Sequence, residues 1–329
     1  MPDLYDVAAI GNAIVDVIAP ATDAWLVENS LDKGAMMLVD PARSAELYGR
    51  MQAAVEASGG SAANSIAGLA SFGGKGAFMG KVANDKLGEV FAHDMRAIGA
   101  RFENAPLVGG PSTAVSMINV TPDAQRTMCT FLGASVEFSD ADVDKDTIEA
   151  AKIVYLEGYL FDAEAARRAF AKAAGLAHGA GRMIALTLSD GFVVERHRAG
   201  LMGFIETQVD LLFANETEIC ALFETTDFDA AIRALSPHVK LAAVTCGAAG
   251  SVILSQGERL TVKAEPVEKV VDTTGAGDQY AAGFMFGLSR GRPLQQCGQL
   301  ASLAAAEVIS HYGPRPQVSL KDLAAARGY

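Results

Sequence analysis

Apolar residues in this chain fall into short runs separated by stretches in which they recur every three or four positions. The runs at 5–10, 77–82, 153–156, 183–188, 209–214 and 241–245 are too short for buried helices and read as buried strands. Between them, 86–98, 163–177 and 228–235 carry the helical spacing. Strands and helices alternating in this way predict an α/β fold, a parallel sheet sandwiched between helices on both faces.

Two segments depart from that rhythm, at about 17–57 and 108–132. In the second, Ala114-Val115-Ser116-Met117-Ile118-Asn119-Val120 alternates small or polar with apolar residues, the period of a half-buried strand. The two segments read as insertions forming one smaller β-rich lid over the carboxyl edge of the main sheet. No repeat or low-complexity linker divides the chain, so residues 1–329 read as a single domain.

Composition removes several classes of partner. With 27 basic against 39 acidic residues the formal charge is −12, and such a surface repels nucleic-acid phosphates and anionic lipid heads. An anionic ligand must then be held by oriented backbone amides, single arginines or a cation. Cys129, Cys220, Cys246 and Cys297 lack close spacing, and the five histidines form no spaced ligand set. The start carries Asp3 and Asp6 where a leader would be basic, and no apolar run is long enough to span a bilayer. The expectation is a cytoplasmic protein acting on small molecules.

The strongest chemical signal is Asp272-Thr273-Thr274-Gly275-Ala276-Gly277-Asp278, placed between the strand-like 267–271 and the helical 279–288. Glycines there let successive amides face one concavity at the positive end of a helix, so an anion can bind without a basic side chain. Asp278 would enter the same space, where a carboxylate orients a hydroxyl and accepts its proton. The alternative is an ordinary turn with an aspartate on the helix dipole, but aspartate, two threonines, two glycines and a second aspartate within seven positions are more than a cap requires.

Weaker signals surround it. Gly59-Gly60-Ser61-Ala62-Ala63-Asn64-Ser65 leads into an apolar helix and is equally a diglycine turn; Asn12 and Asp16, after the first strand, could share a diol or form a polar turn. Asn215 and Glu218 could organise magnesium through its waters, or could be a capping box. Thr245, Gly247 and Gly250 lie in a strand-to-turn passage that could admit a nucleotide or be a hairpin. Arg126 could clamp a phosphate from the lid, or be a solvated strand arginine. A Walker loop ending at Gly80-Lys81 fails because Lys75 and Val82 stand where glycine and a hydroxyl are needed, and Gly11-Asn12-Ala13 lacks a dinucleotide fingerprint.

The Gly59–Ser65 motif, the 80–88 stretch with Asp85 and the Asp272–Asp278 motif, in that order along the chain, resemble the ribokinase, or phosphofructokinase B, family of carbohydrate and nucleoside kinases over nearly the whole chain. The 11–16 start, Asn215–Glu218 and the 125–128 strand look most like members that phosphorylate adenosine.

The resemblance implies a ribokinase-like fold with a lid, and transfer from ATP with Mg2+ to a primary hydroxyl. Asp278 matches the catalytic base, and the amides of Gly275, Ala276 and Gly277 its anion hole. Asn12, Asp16, Gly60 and Asn64 match positions that grip ribose hydroxyls, and Arg126 a phosphate-facing lid arginine. Asn215 and Glu218 match the segment that organises magnesium and nucleotide, with a monovalent cation beside Asp272 as a further candidate. Met36, Leu38, Met128, Leu160 and Phe192 are candidate walls for a base, Phe192 by stacking; packing of the lid on itself is the other reading of Met36, Leu38 and Met128. Thr187 stands where many relatives have asparagine, and Ala83-Asn84 replaces a commoner glycine turn. The expected acceptor is adenosine, the rivals a free sugar such as ribose or fructose and a non-catalytic binding protein, and the expected state a monomer.

Overall fold

The computed structural model describes residues 4–123 and 125–329, so Asp3 and one position of the second insertion, Ala124, lie outside the described residues. The first half contains β1 (Tyr5–Ile10), β2 (Ile14–Pro20), α1 (Asp23–Glu28), β3 (Met36–Leu38), α2 (Pro41–Arg50), β4 (Val55–Gly59), α3 (Ser61–Ser71), β5 (Gly76–Met79), α4 (Lys86–Ala97), β6 (Ala114–Val120) and β7 (Arg126–Phe131). The middle contains α5 (Lys145–Glu149), β8 (Ala151–Glu157), α6 (Glu164–Gly179), β9 (Met183–Thr187), α7 (Gly191–Gln208), β10 (Leu211–Asn215), α8 (Glu216–Leu222) and α9 (Phe228–Leu235). The last part adds β11 (Leu241–Thr245), β12 (Ser251–Ser255), β13 (Glu258–Val262), α10 (Ala276–Ser289), α11 (Leu294–Val308) and α12 (Leu320–Ala326).

The main sheet has the order β13-β12-β11-β10-β9-β8-β1-β5. From β11 to β5 it is parallel, and β12 and β13 close one edge as antiparallel strands. Its side chains divide with the period of two that a pleated strand imposes. Val7, Ala9, Phe78, Tyr155 and Phe213 pack on one face with Ile66 of α3 and Phe284 of α10. Ala8, Ile10, Val154, Leu156 and Ile184 pack on the other with Phe170 of α6 and Leu201 of α7. Each large apolar side chain buried there contributes about 1.5–3 kcal/mol.

Both insertions supply the second sheet, ordered β3-β7-β6-β2-β4. One of its faces carries Ile14, Asp16, Ser116, Ile118, Met128 and Thr130 towards a cavity. The opposite face, with Val15, Val17, Met117 and Cys129, shares a buried cluster with Leu26 of α1 and Leu47 of α2.

Those two helices are missing from the strand-like reading of 17–57. Their start signals are local: Thr22 accepts from Trp25 N at 3.1 Å, and Asp40 accepts from Arg43 N at 2.8 Å just before Pro41. The strand-like stretch at 267–271 is not a strand either. Val271 N donates to Ile309 O at 2.8 Å, just beyond the end of α11, so the segment is tied to that helix end and is not part of either sheet. Among the described residues, no helix is long and apolar enough to cross a membrane.

Candidate active site

The parallel strands end on one edge, and their exits bring Asn12, Glu157, Ser189, Asn215 and Thr245 beneath the second sheet, the place where open parallel sheets bind ligands. Beyond β1 the chain turns through Gly11, where an added Cβ would stand 2.5 Å from Glu157 Oε2 and 2.6 Å from Ala62 Cβ. Glu157 Oε1 accepts from Asn12 Nδ2 at 2.9 Å, and its Oε2 accepts from Ala62 N at 2.9 Å, in the first turn of α3. It therefore caps a helix that lacks a side-chain cap of its own and fixes the Asn12 amide. Burial pushes the Glu157 carboxyl up to about 7, against the pull of the donors from Ala62 and Asn12. Asn12 Oδ1 is buried without a protein partner, an acceptor facing a space for a hydroxyl.

Gly59 and Gly60 admit backbone where side chains would collide. A Cβ on Gly59 would lie 2.4 Å from the Asp16 carboxylate, and Gly60, at φ +91°, would bring one within 2.4 Å of Asn12 O. Burial raises the Asp16 carboxyl to about 6, with Arg315 and Arg126 opposing it.

The loop from Asp272 enters α10 through Gly275, a left-handed residue at φ +79°. Asp278 projects from the first turn and accepts from Ser61 Oγ at 2.6 Å and from Asn64 Nδ2 at 3.1 Å. Burial raises its carboxyl, while Ser61, Asn64 and Arg315 pull it down. Among the three amides predicted to form an anion hole, that of Ala276 donates to Thr273 O at 3.2 Å.

Two cavities flank this carboxylate. The one under the lid, about 520 Å³, is lined by Asn12, Asp16, Gly60 and Asn64 and also by Met36, Leu38, Met128, Leu160 and Phe192. All nine positions singled out for an acceptor are thus brought together. Phe192 is 70% exposed at the rim, and Met36 and Leu38 present exposed surface to the same space. The other cavity, about 490 Å³, is lined by Asn215, Glu218, Thr245, Gly247, Ala276 and Gly277. Ser61, Ser189, Gly275 and Asp278 belong to both walls.

At four site residues the structure shows which local role, among those the sequence left open, the side chain or backbone takes. Gly250 is absent from the cavity lining and serves the hairpin between β11 and β12, where its φ of +94° and a Cβ position 2.1 Å from Val262 O require glycine. Asn215 and Glu218 form a reciprocal capping box on α8: Asn215 N donates to Glu218 Oε2 at 3.0 Å and Glu218 N to Asn215 Oδ1 at 2.9 Å. Burial raises the Glu218 carboxyl to about 7. Arg126 is not a solvated strand arginine: it pairs with Asp272 and donates to Thr274 Oγ1 at 2.8 Å.

Ser61, Glu157 and Arg315 were missed as individual site residues. Glu157 had a signal, a lone carboxylate ending an apolar strand, and Ser61 lay inside a quoted motif. Among the described residues no group of three or more His, Cys, Asp or Glu forms a metal cage.

The pfkB family carbohydrate kinase model matches residues 7–320. The chain is 28% identical over 332 residues to the adenosine kinase of Saccharomyces cerevisiae, covering 93% of this chain and 95% of that protein. It superposes on a probable sugar kinase of Rhizobium etli CFN 42 with a TM-score of 0.93 at 46% identity, covering 100% of this chain and 99% of that one. On the adenosine kinase of Sinorhizobium meliloti the TM-score is 0.91 at 52% identity, covering 98% and 99%. The family match spans both sheets and the Asp278 loop, and the chain accordingly belongs to the pfkB family of carbohydrate kinases, phosphotransferases with a ribokinase-like fold.

Proposed function

We propose that the protein is an adenosine kinase, transferring the γ-phosphoryl group of ATP to the adenosine 5′-hydroxyl to give AMP and ADP. The observation that carries this reading is the pair of cavities meeting at Asp278, one of them polar at its floor and apolar towards the lid. Asn12, Asp16, Gly60 and Asn64 suit ribose hydroxyls, and Met36, Leu38, Met128, Leu160 and Phe192 suit the face of a base. The second cavity takes ATP, with Asn215, Thr245 and Gly247 along its wall.

Asp278, held by Ser61 and Asn64, accepts the 5′-hydroxyl proton as the oxygen attacks phosphorus. The first-turn amides at Gly275, Ala276 and Gly277 stabilise the charge on the moving phosphoryl group from the positive end of α10. That role needs the Ala276 amide to leave Thr273 O. Arg126 adds its guanidinium from the lid once it leaves Asp272. Magnesium, when bound with ATP, would supply charge neutralisation on the phosphates. Glu218, engaged in its cap, would hold the ion through water. The lid excludes water and suppresses ATP hydrolysis. The Asp272 carboxylate, surrounded by donors from Thr274, Gly313 and Arg126, would take a monovalent cation after the arginine departs.

Same-chain cover of the lid's back face by α1 and α2 supports a monomer. Four free thiols fit a reducing compartment, and we place the protein in the cytoplasm. A free sugar is the second reading, favoured by the open rim at Phe192 and by the Rhizobium relative described as a probable sugar kinase.

The test is ADP release from MgATP with adenosine, inosine, ribose or fructose, alongside Asp278→Asn. Adenosine turnover well above the others, reduced about 10²–10⁴-fold by the substitution, supports the reading. Turnover confined to a free sugar replaces it with the second, and wild-type turnover in Asp278→Asn removes the proposed base.

A further inference from the structure

A cation unannounced by any motif lies behind the proposed base. Arg315 follows Gly313 and Pro314 in the segment between α11 and α12, and its side chain is largely buried. Its Nε donates to Asn64 Oδ1 at 3.2 Å, and Asn64 Nδ2 donates to Asp278 Oδ2 at 3.1 Å. The two ends of an amide are chemically distinct. With Oδ1 held by the guanidinium, only the nitrogen faces Asp278; flipped, the amide would set oxygen against a carboxylate.

The segment carrying Arg315 is locked to the first turn of α10. Gly313 N donates to Asp272 Oδ2 at 3.1 Å, and Gln279 Nε2 donates to Pro314 O at 2.9 Å and to Asn64 O at 3.0 Å. A Cβ on Gly275 would lie 2.6 Å from Pro314 Cα. The arginine therefore cannot shift without moving the residues it serves.

The acids electrostatically coupled to Asp278 are Asp16 of β2 and Glu157 of β8, and the Tyr155 and Tyr159 hydroxyls, kept neutral by burial, feel the same carboxylate. Ser61 and Asn64 are its neutral donors, and Arg315 is the cation acting on it. On its other sides Arg315 is balanced by Asp16 and by Asp94 of α4.

We propose, resting on the kinase reading above, that Arg315 is a positioning residue for phosphoryl transfer: it orients the Asn64 amide and keeps Asp278 available as the proton acceptor. Its substitution should act on the pH dependence of the reaction more than on its maximum.

The experiment compares wild type, Arg315→Met and Arg315→Lys by two readouts. In the unliganded protein, the ¹³C carboxyl resonance of Asp278, assigned by its loss in Asp278→Asn, is followed against pH. In Arg315→Met the midpoint should rise by about one unit, as removal of a neighbouring opposite charge does. The acidic limb of kcat/KM should move by the same amount and activity should recover at alkaline pH, with KM for ATP unchanged. Arg315→Lys keeps the charge but not the Nε contact, so its midpoint falls between the other two; it carries the comparison alone if the methionine variant does not fold. An unmoved Asp278 midpoint, or a loss of activity equal at every pH, overturns the inference. Because the resonance is read without substrate, it decides the role of Arg315 even if adenosine is not the acceptor.

Discussion

Arg126 on the lid strand β7 is paired with Asp272 in the loop entering α10, and the two side chains are only 9% and 7% exposed. One guanidinium thus ties the lid to the loop that presents Asp278, and its Nε remains buried without a partner. Arg126 lines neither cavity while it holds Asp272, so contact with a phosphate in the second cavity would require this pair to open.

Removing that charge should affect both catalysis and stability. Arg126→Ala leaves Asp272 buried and unpaired, a loss of about 3–5 kcal/mol, and should lower kcat about 10²–10³-fold if the arginine reaches the phosphate. Burial works against ionisation of Asp272, yet Thr274, Gly313 and Arg126 hold its carboxyl below the ordinary 3.8. A depressed carboxyl stabilises the fold above that ordinary value and ceases to do so as pH falls through the folded one. The stability gap between wild type and Arg126→Ala should therefore be constant near neutrality and close below about pH 3.8. Denaturant unfolding at several pH values measures it.

Glu157 has the opposite sign. Its carboxyl rises from 4.5 to about 7 on folding, so between those values the native chain holds a proton that the unfolded chain has lost. Stability attributable to this group falls as pH rises through that window. Glu157→Gln removes the titration and sets an amide NH2 against either Asn12 N or Ala62 N. It should flatten the stability profile between about pH 4.5 and 7, cost about 1–3 kcal/mol at the low end, and raise the acceptor KM more than it lowers kcat.

Gly275→Ala combines two penalties. Its φ of +79° disfavours any Cβ, and that atom would meet Pro314 Cα at 2.6 Å. The loop must shift, carrying the first-turn amides with it, and kcat should fall at least about 10²-fold, the worth of a misplaced oxyanion donor. Steady-state kinetics and a thermal melt together check it: a variant with normal kcat would show that the loop tolerates displacement.

Phe192→Ala separates binding from folding. The ring is 70% exposed, so stability should change by less than about 0.5 kcal/mol. Stacking on a base is worth about 1–3 kcal/mol, so Kd for adenosine should rise roughly 5- to 150-fold while a free sugar would register no change. Parallel titration calorimetry and melting curves give both numbers.

Much of this site was readable because its pieces are local. Gly275 to Asp278 act within one turn, and the left-handed start of α10 follows from glycine's freedom at that position. The diglycine at 59 and 60 was likewise a backbone requirement written in adjacent residues. Glu218 and Gly250 were legible only as alternatives, since a capping box and a hairpin turn use the same residue types as a nucleotide site. The helices α1 and α2 were lost in a strand-like segment although Thr22 and Asp40-Pro41 mark their starts.

The alternation of strands and helices in the main sheet, the glycine turn entering α10 and the positions that line the cavity under the lid were legible in the sequence, because hydrophobic period and glycine conformation act over a few neighbouring positions. Tertiary structure alone decided the partnerships: Ser61 with Asp278, Arg126 with Asp272, Glu157 with Asn12, and Arg315 with Asn64, the last separated by 251 positions. A hydrogen bond across such a distance depends on how two sheets and a C-terminal segment dock. Nothing in the residues next to Arg315 encodes that its guanidinium will come to rest against Asn64.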